Sequence, residues 1–216
     1  MTQNWTGFTF LMSCQNIHIV HQQMKMTGSE MIEARPALLA IDIQKGFQLD
    51  DYWGGGRNNP QAEANCSAIM SKWREHNLPV IHIRHSSTNP HSPLHEAHEG
   101  FAFQAGAEPQ PDEEVVTKSV NSGFIGTNLK QLLDSQGITS LVIIGLTTDH
   151  CVSTTTRMAG NYGYQTCLVS DATATFDKTG ITGETYPAEL IHQTALASLK
   201  DEFATIITTK DVLSLL

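Results

Sequence analysis

From Pro36 onward, short apolar runs alternate with stretches whose apolar residues recur at helical spacing. Ala37-Leu38-Leu39-Ala40-Ile41 is a continuous apolar run ending at Asp42, the pattern of a strand buried on both faces. A glycine-rich loop, Trp53-Gly54-Gly55-Gly56, follows, and Asn58-Asn59-Pro60 then offers a helix start. Cys66, Ile69, Met70 and Trp73 recur at i, i+3, i+4 and i+7, so this helix buries one stripe. Pro79–Ile83 reads as the second strand, and a polar loop with four prolines runs from His85 to about Glu114. Val115–Lys118 is a short third strand. Ile125, Leu129, Leu132 and Leu133 mark another amphipathic helix, which Gly137 closes.

Ser140–Gly145 is the fourth strand and the most apolar. A helix from near Thr148 to Gly163, a fifth strand at Thr166–Val169, a helix from about Pro187 to Lys200 and a sixth strand at Ala204–Thr208 complete the pattern. Helix-length connectors between apolar strands mean parallel pairing with right-handed crossovers. The predicted fold is therefore α/β: a three-layer α/β/α sandwich around a six-stranded, doubly wound parallel sheet, forming one domain over residues 35–216 without internal repeats.

Composition narrows the function. At 216 residues, with 40% hydrophobic and 16% charged positions, the chain has the makeup of a globular domain. Thirteen Lys+Arg against 22 Asp+Glu leave a net charge of −9, which argues against nucleic acid or an anionic membrane as partner. No apolar run approaches the roughly 20 residues that span a bilayer. The four cysteines, Cys14, Cys66, Cys151 and Cys167, form no CxxC pair, so a reducing, cytoplasmic setting is expected, with any notable thiol a nucleophile rather than a staple. Residues 1–34 read as a polar, Met-rich extension, either a loose arm or the product of an early start codon. Its Leu11-Met12-Ser13-Cys14 run lacks the preceding basic residues of a signal peptide.

In a doubly wound sheet, ligands bind outside the carboxyl ends of the strands. Asp42 ends strand one, Lys118 ends strand three, and Cys151 follows strand four at a helix start. Each alone has an ordinary reading: a capping carboxylate, a solvated charge, a small core residue. Their convergence on one edge is what points to chemistry. In Gly145-Leu146-Thr147-Thr148-Asp149-His150-Cys151 the thiol meets a helix N-terminus, where the dipole and free N–H groups favour thiolate.

Asp42-x-Gln44, Lys118-x-x-x-Ser122-Gly123-Phe124 and Gly145-Leu146-Thr147-x-x-x-Cys151-Val152, with Asp171-Ala172 and His192-x-x-Ala195-Leu196 after them, resemble the signature blocks of the isochorismatase-like cysteine hydrolases. The likeness spans about residues 37 to 212 and keeps the family's order. It implies a Rossmann-like hydrolase fold, an Asp42–Lys118–Cys151 triad and a non-proline cis peptide at Leu146–Thr147. It also implies an oxyanion hole from the backbone N–H groups of Thr147 and Cys151. In the implied mechanism Asp42 takes the thiol proton, Lys118 holds Asp42 ionised, and Cys151 attacks the C–N-bonded carbonyl of a small amide, ureido or carbamoyl compound to form a thioester. Two alternatives stand beside it: a vinyl-ether hydrolase, although family members of that type lack the cysteine, and a non-catalytic redox-sensing thiol. The resemblance also implies a small-molecule substrate and a homo-oligomer, dimer or tetramer.

Five histidines, His82, His85, His91, His95 and His98, crowd the second strand and the following loop. Nicotinamidases of this family carry a DxHxxxxxH-type zinc block there. Arg84-His85-Ser86 has no Asp in that place, so no metal and no other cofactor is expected. Gln44, Phe47, Trp53, His85, Asn121 and Phe124 are the expected substrate-binding residues, the aromatics equally readable as packing. His150 is expected to point away from Cys151, and Cys66 and Cys167 to be inert core thiols.

Overall fold

The computed structural model of the protein describes residues 34–216, so the N-terminal extension with its Cys14 lies outside the described residues. Six parallel strands form one sheet in the order β3-β2-β1-β4-β5-β8: β1 (Ala37–Ile41), β2 (Val80–His85), β3 (Glu114–Lys118), β4 (Ser140–Leu146), β5 (Gln165–Ala174) and β8 (Thr205–Ile207). The six-stranded α/β expectation holds. The order reverses direction between β1 and β4, which are neighbours in register from Ala37↔Leu141 to Ile41↔Gly145. A crevice therefore opens at the carboxyl ends of those two strands, the switch point where such sheets bind ligands.

Both faces of the sheet are covered, as continuous apolar strands require. Leu39, Ile41, Ile81, Ile83, Leu141 and Ile143 look toward α3 (Leu129–Ser135), α4 (Ser153–Asn161) and α5 (Ala188–Leu199). On the other face Leu38, Ala40, Val80, Val142 and Ile144 pack on α2 (Ala62–Glu75) and α6 (Thr209–Leu215). The anticipated stripe Cys66, Ile69, Met70 and Trp73 is fully buried in α2. Above the crevice, Phe47 stacks on Trp53 and Phe176 beside Leu94 and Leu146, and α1 (Asp50–Trp53) is a single turn on its rim.

Four local features differ from expectation. Ile125 lies outside the amphipathic helix and is 52% exposed, because Gly126 takes φ +70° and turns the chain before α3 begins at Leu129. The segment after β4 starts as one π-helical turn, Thr148–Val152, and becomes α-helical only at Ser153. The β5 strand extends to Ala174 through a register shift, from Ile143↔Leu168 to Gly145↔Thr173. A small hairpin, β6 (Lys178–Thr179) with β7 (Thr185–Tyr186), was not anticipated at all. Two-residue strands leave no periodicity to read.

Candidate active site

Asp42 follows β1 directly and adopts φ +51°, a left-handed conformation that is rare outside glycine and clusters at functional sites. Gly145 makes the neighbouring turn possible. At φ +122° a Cβ there would stand 1.9 Å from the Ile41 carbonyl oxygen, so only glycine lets β4 lie this close to β1. The peptide between Leu146 and Thr147 is cis. Immediately beyond it, His150 and Val152 both donate backbone hydrogen bonds to the Thr147 carbonyl.

Lys118 comes from the far edge strand, β3, two strands away from Asp42. At about 4.8 Å per strand its side chain must cross β2 to reach β1, roughly 10 Å away. It does so with both side chains completely buried: Lys118 Nζ donates to Asp42 Oδ2 at 2.7 Å. The same ammonium donates to Cys151 Sγ at 3.2 Å and meets His85 Nδ1 at 3.1 Å. The second carboxylate oxygen, Asp42 Oδ1, is buried and has no hydrogen-bond partner. Acid, amine and sulfur thus meet at one rim of the sheet.

The electrostatics correct one expectation. Burial, and then the Asp42 carboxylate beside it, push the Cys151 thiol well above the usual thiol range, and Lys118 opposes this without overcoming it. The resting sulfur is a thiol, not the thiolate that a helix N-terminus alone would favour. Burial by itself would lower the Lys118 ammonium, but Asp42 and then Cys151 raise it, so it stays charged. His85 is shifted down by burial and by Lys118, hence neutral at pH 7.

The surrounding residues divide. Asn121 is at the mouth, exposed, with its Oδ1 3.8 Å from Cys151 Sγ. Gln44 is different from expectation. It is fully buried, and its amide donates to the His85 and Phe101 carbonyls while its oxygen accepts from the His85 N–H, which leaves no donor for a substrate. Phe124 is likewise a packing residue, buried against Tyr162 and Tyr164 on the α-helical face. Phe47 is buried within the aromatic stack, and Trp53 is half-buried with its indole N–H on the Gly46 carbonyl.

Other histidines are accounted for by their bonds: His82 to Glu113, His98 to the Pro90 carbonyl, His95 to the Ala97 N–H. His150 has a half-exposed side chain 3.5 Å from Asp149 and makes no contact with the sulfur. Cys66 donates to the Ala172 carbonyl, and burial pushes Cys167 up to about 11. Among the described residues one donor group has ligand spacing: Asp42, His85 and Cys151 offer atoms within 4.8 Å of one another. It does not fit a metal, because the Lys118 ammonium already contacts all three, and a cation there would face that charge at contact distance.

One functional element escaped the sequence reading. Thr148, the residue after the cis-linked Thr147, is fully buried with its hydroxyl 2.9 Å from His192 Nδ1 on α5. Asn59, at φ +43°, faces His192 Nε2 at 3.5 Å and bonds the Ser170 and Thr173 carbonyls. The loop before α2 and helix α5 therefore brace the turn that carries the nucleophile. The His192 block was visible in the sequence, but nothing in it said which way the imidazole faces.

A doubly wound sheet thus brings a buried carboxylate, ammonium and thiol together at its switch point, the place where such folds carry their ligand sites. Residues 36–211 match the model of the isochorismatase domain, and the chain belongs to the isochorismatase family of hydrolases. It is 50% identical over 183 residues to the isochorismatase family protein YrdC of Bacillus subtilis, covering 85% of this chain and 97% of that one. It is also similar to a streptothricin hydrolase of Streptomyces noursei, 32% identical over 189 residues, 82% of this chain and 71% of that one. A crystal structure of an isochorismatase-family hydrolase from Chromobacterium violaceum superposes with a TM-score of 0.80 at 42% identity, covering 84% of this chain and 94% of that one.

Proposed function

We propose that the protein hydrolyses a C–N bond of a small amide, ureido or carbamoyl compound through a thioester on Cys151. One observation carries this reading: the Lys118 ammonium links a buried carboxylate to a buried thiol while Asp42 Oδ1 stands unpartnered. A buried carboxylate oxygen without a donor is costly, and a base about to receive a proton is one reason for a fold to keep it.

In the proposed sequence, Cys151 passes its proton to Asp42 as sulfur attacks the carbonyl carbon. The backbone N–H groups of Thr147 and Cys151 hold the developing oxyanion. Asp42 then gives the proton to the departing nitrogen, and ammonia or an amine leaves behind a thioester. Water, deprotonated by Asp42, adds to the thioester carbonyl, and collapse releases the acid and restores the thiol. Lys118 keeps a positive charge against both anionic partners throughout. Asn121 at the mouth is the side chain placed to meet the substrate. The raised pKa of Cys151 supports proton transfer in step with attack, and weighs against a standing thiolate that senses peroxide.

The experiment is ammonia release from a panel of primary amides, ureides and carbamoyl compounds. Cys151→Ala is expected to fall to background and Asp42→Asn to lose about 10²- to 10⁴-fold. An alanine variant equal to the parent on every substrate turned over overturns the reading, and its turnover of isochorismate would place the chemistry at a vinyl ether instead. We also read the assembly as a homodimer or tetramer, from the family resemblance, which light scattering of the full chain decides. Free thiols at Cys66, Cys151 and Cys167 support a reducing, cytoplasmic setting.

A further inference from the structure

We propose that His85 is the positioning residue of this cluster: its unprotonated Nδ1 accepts the third hydrogen of the Lys118 ammonium and so fixes where that charge stands between Asp42 and Cys151. The proposal rests on the hydrolase reading above for what the cluster does, but not for its geometry.

An ammonium has three hydrogens and no lone pair. Lys118 has three neighbours at bonding distance: Asp42 Oδ2 at 2.7 Å, His85 Nδ1 at 3.1 Å and Cys151 Sγ at 3.2 Å. A contact between Lys118 Nζ and a ring nitrogen at that distance requires the nitrogen to be the acceptor, so the imidazole carries its proton on Nε2. The fold supplies His85 at the right place. It ends β2, the strand that Lys118 must cross, and it is the register partner of Lys118 itself. Without an acceptor there, a flexible four-carbon side chain reaching two strands over would have one strong anchor and a choice of rotamers.

His85 is in turn held from behind. Gln44 accepts from its backbone N–H at 2.9 Å and donates to its carbonyl at 3.0 Å, a two-point clamp from the loop that follows Asp42. The chain of support therefore runs Gln44, His85, Lys118, and then both reacting groups. This gives Gln44 a reason to be buried two residues from the proposed base.

The titratable and charged groups around His85 are Lys118 on β3, Asp42 after β1 and Cys151 after β4. His95 and Glu96 lie further out, in the wall of an open cavity of about 490 Å³ that Ser86 and Ser87 also line. Protonating His85 removes the acceptor and sets an imidazolium against an ammonium in a buried site. Burial and Lys118 both hold its pKa below 6.5, so the device is intact at pH 7 and fails as acid is added.

Two measurements test this. The ¹⁵N resonances of His85 in the wild-type protein are expected to show a bare Nδ1 and a protonated Nε2, with a midpoint below the ordinary 6.5 that moves upward in Lys118→Met. On any amide the protein hydrolyses, His85→Ala is expected to lower kcat by up to about 100-fold, the loss that follows a misplacement of about 1 Å, with KM little changed. His85→Asn, whose Oδ1 falls where Nδ1 was, is expected to restore much of kcat and to shift the acid limb of the pH profile downward. A protonated Nδ1, or a His85→Asn profile that keeps the wild-type acid limb, overturns the proposal. Turnover of no amide at all overturns the hydrolase reading and leaves the resonance test to decide His85.

Discussion

Lys118 and Asp42 pose a problem common to all buried ion pairs. Each charge was expensive to bring out of water, and the pair is tolerable only while both partners are present. Their side chains are completely inaccessible and the bond is short, 2.7 Å. Lys118→Met should therefore destabilise the fold by about 3–5 kcal/mol, because it strands a buried carboxylate. The double variant with Asp42→Asn should recover much of that loss. Urea midpoints of the three proteins check this, and a Lys118→Met protein as stable as the parent would mean that water reaches the carboxylate. The thiol gives a second test at the same scale. With its pKa raised by burial and by Asp42, Cys151 should be alkylated by iodoacetamide at pH 8 more slowly than a free thiol of pKa about 8.5. Peptide mapping separates it from Cys66 and Cys167. Faster alkylation would show a thiolate at rest.

Two elements hold the nucleophile in place, and they do so differently. Between β1 and β4 the constraint is steric: a methyl group on residue 145 would overlap the Ile41 carbonyl oxygen, and backbone does not yield. Gly145→Ala is expected to give no soluble folded protein. Behind the π-helical turn the constraint is polar. His192→Leu would leave the buried Thr148 hydroxyl without its partner inside the protein, at a cost of about 1–3 kcal/mol, while the Asn59 amide keeps the Ser170 and Thr173 carbonyls. If α5 braces the turn as described, this variant stays folded while its amide turnover falls, and unchanged turnover would show that the turn holds itself. These elements also mark what the amino-acid order made legible. Strands such as Leu38–Ile41 and Leu141–Ile144 announce themselves because burial on both faces forces an unbroken apolar run. The strand-end positions of Asp42, Lys118 and Cys151 followed from the same runs. What local pattern could not show is orientation across the fold. Nothing near Gln44 says that its amide grips His85 on another strand, and nothing near Phe124 says that it turns toward Tyr162 instead of the mouth. The thiol's ionisation was misjudged for the same reason, since both causes that raise it, burial first and then the Asp42 carboxylate 109 positions away, are set by the tertiary fold.

Across the whole molecule, acid acts on two opposed effects. The net charge is −9 at pH 7, and approaching the isoelectric point near 5.5 relieves self-repulsion, which favours the folded state. Three histidines in separate places act the other way. His82 under the loop after β2, His85 at the triad and His192 on α5 all have pKa values held below 6.5, in each case first by burial. Below 6.5 the unfolded chain takes up protons that the folded chain refuses, so stability is complete above that pH and falls as pH drops toward the folded values. Each unit of depression is worth about 1.4 kcal/mol per histidine, whereas dispersed surface charges are screened beyond about 8 Å at physiological salt. The histidines should therefore win. At 0.15 M salt the melting temperature is expected to be level from pH 8 to 7 and to decline from 6.5 to 5. The paired Glu113, held at about 2 by Arg74 and its other hydrogen bonds against the opposing effect of burial, does not yet titrate there. A double variant at His82 and His192 that keeps their volumes should flatten the decline. A wild-type protein equally stable at pH 5 and 7 would mean that these imidazoles accept protons without unfolding, and with it the closed packing around them would have to be given up.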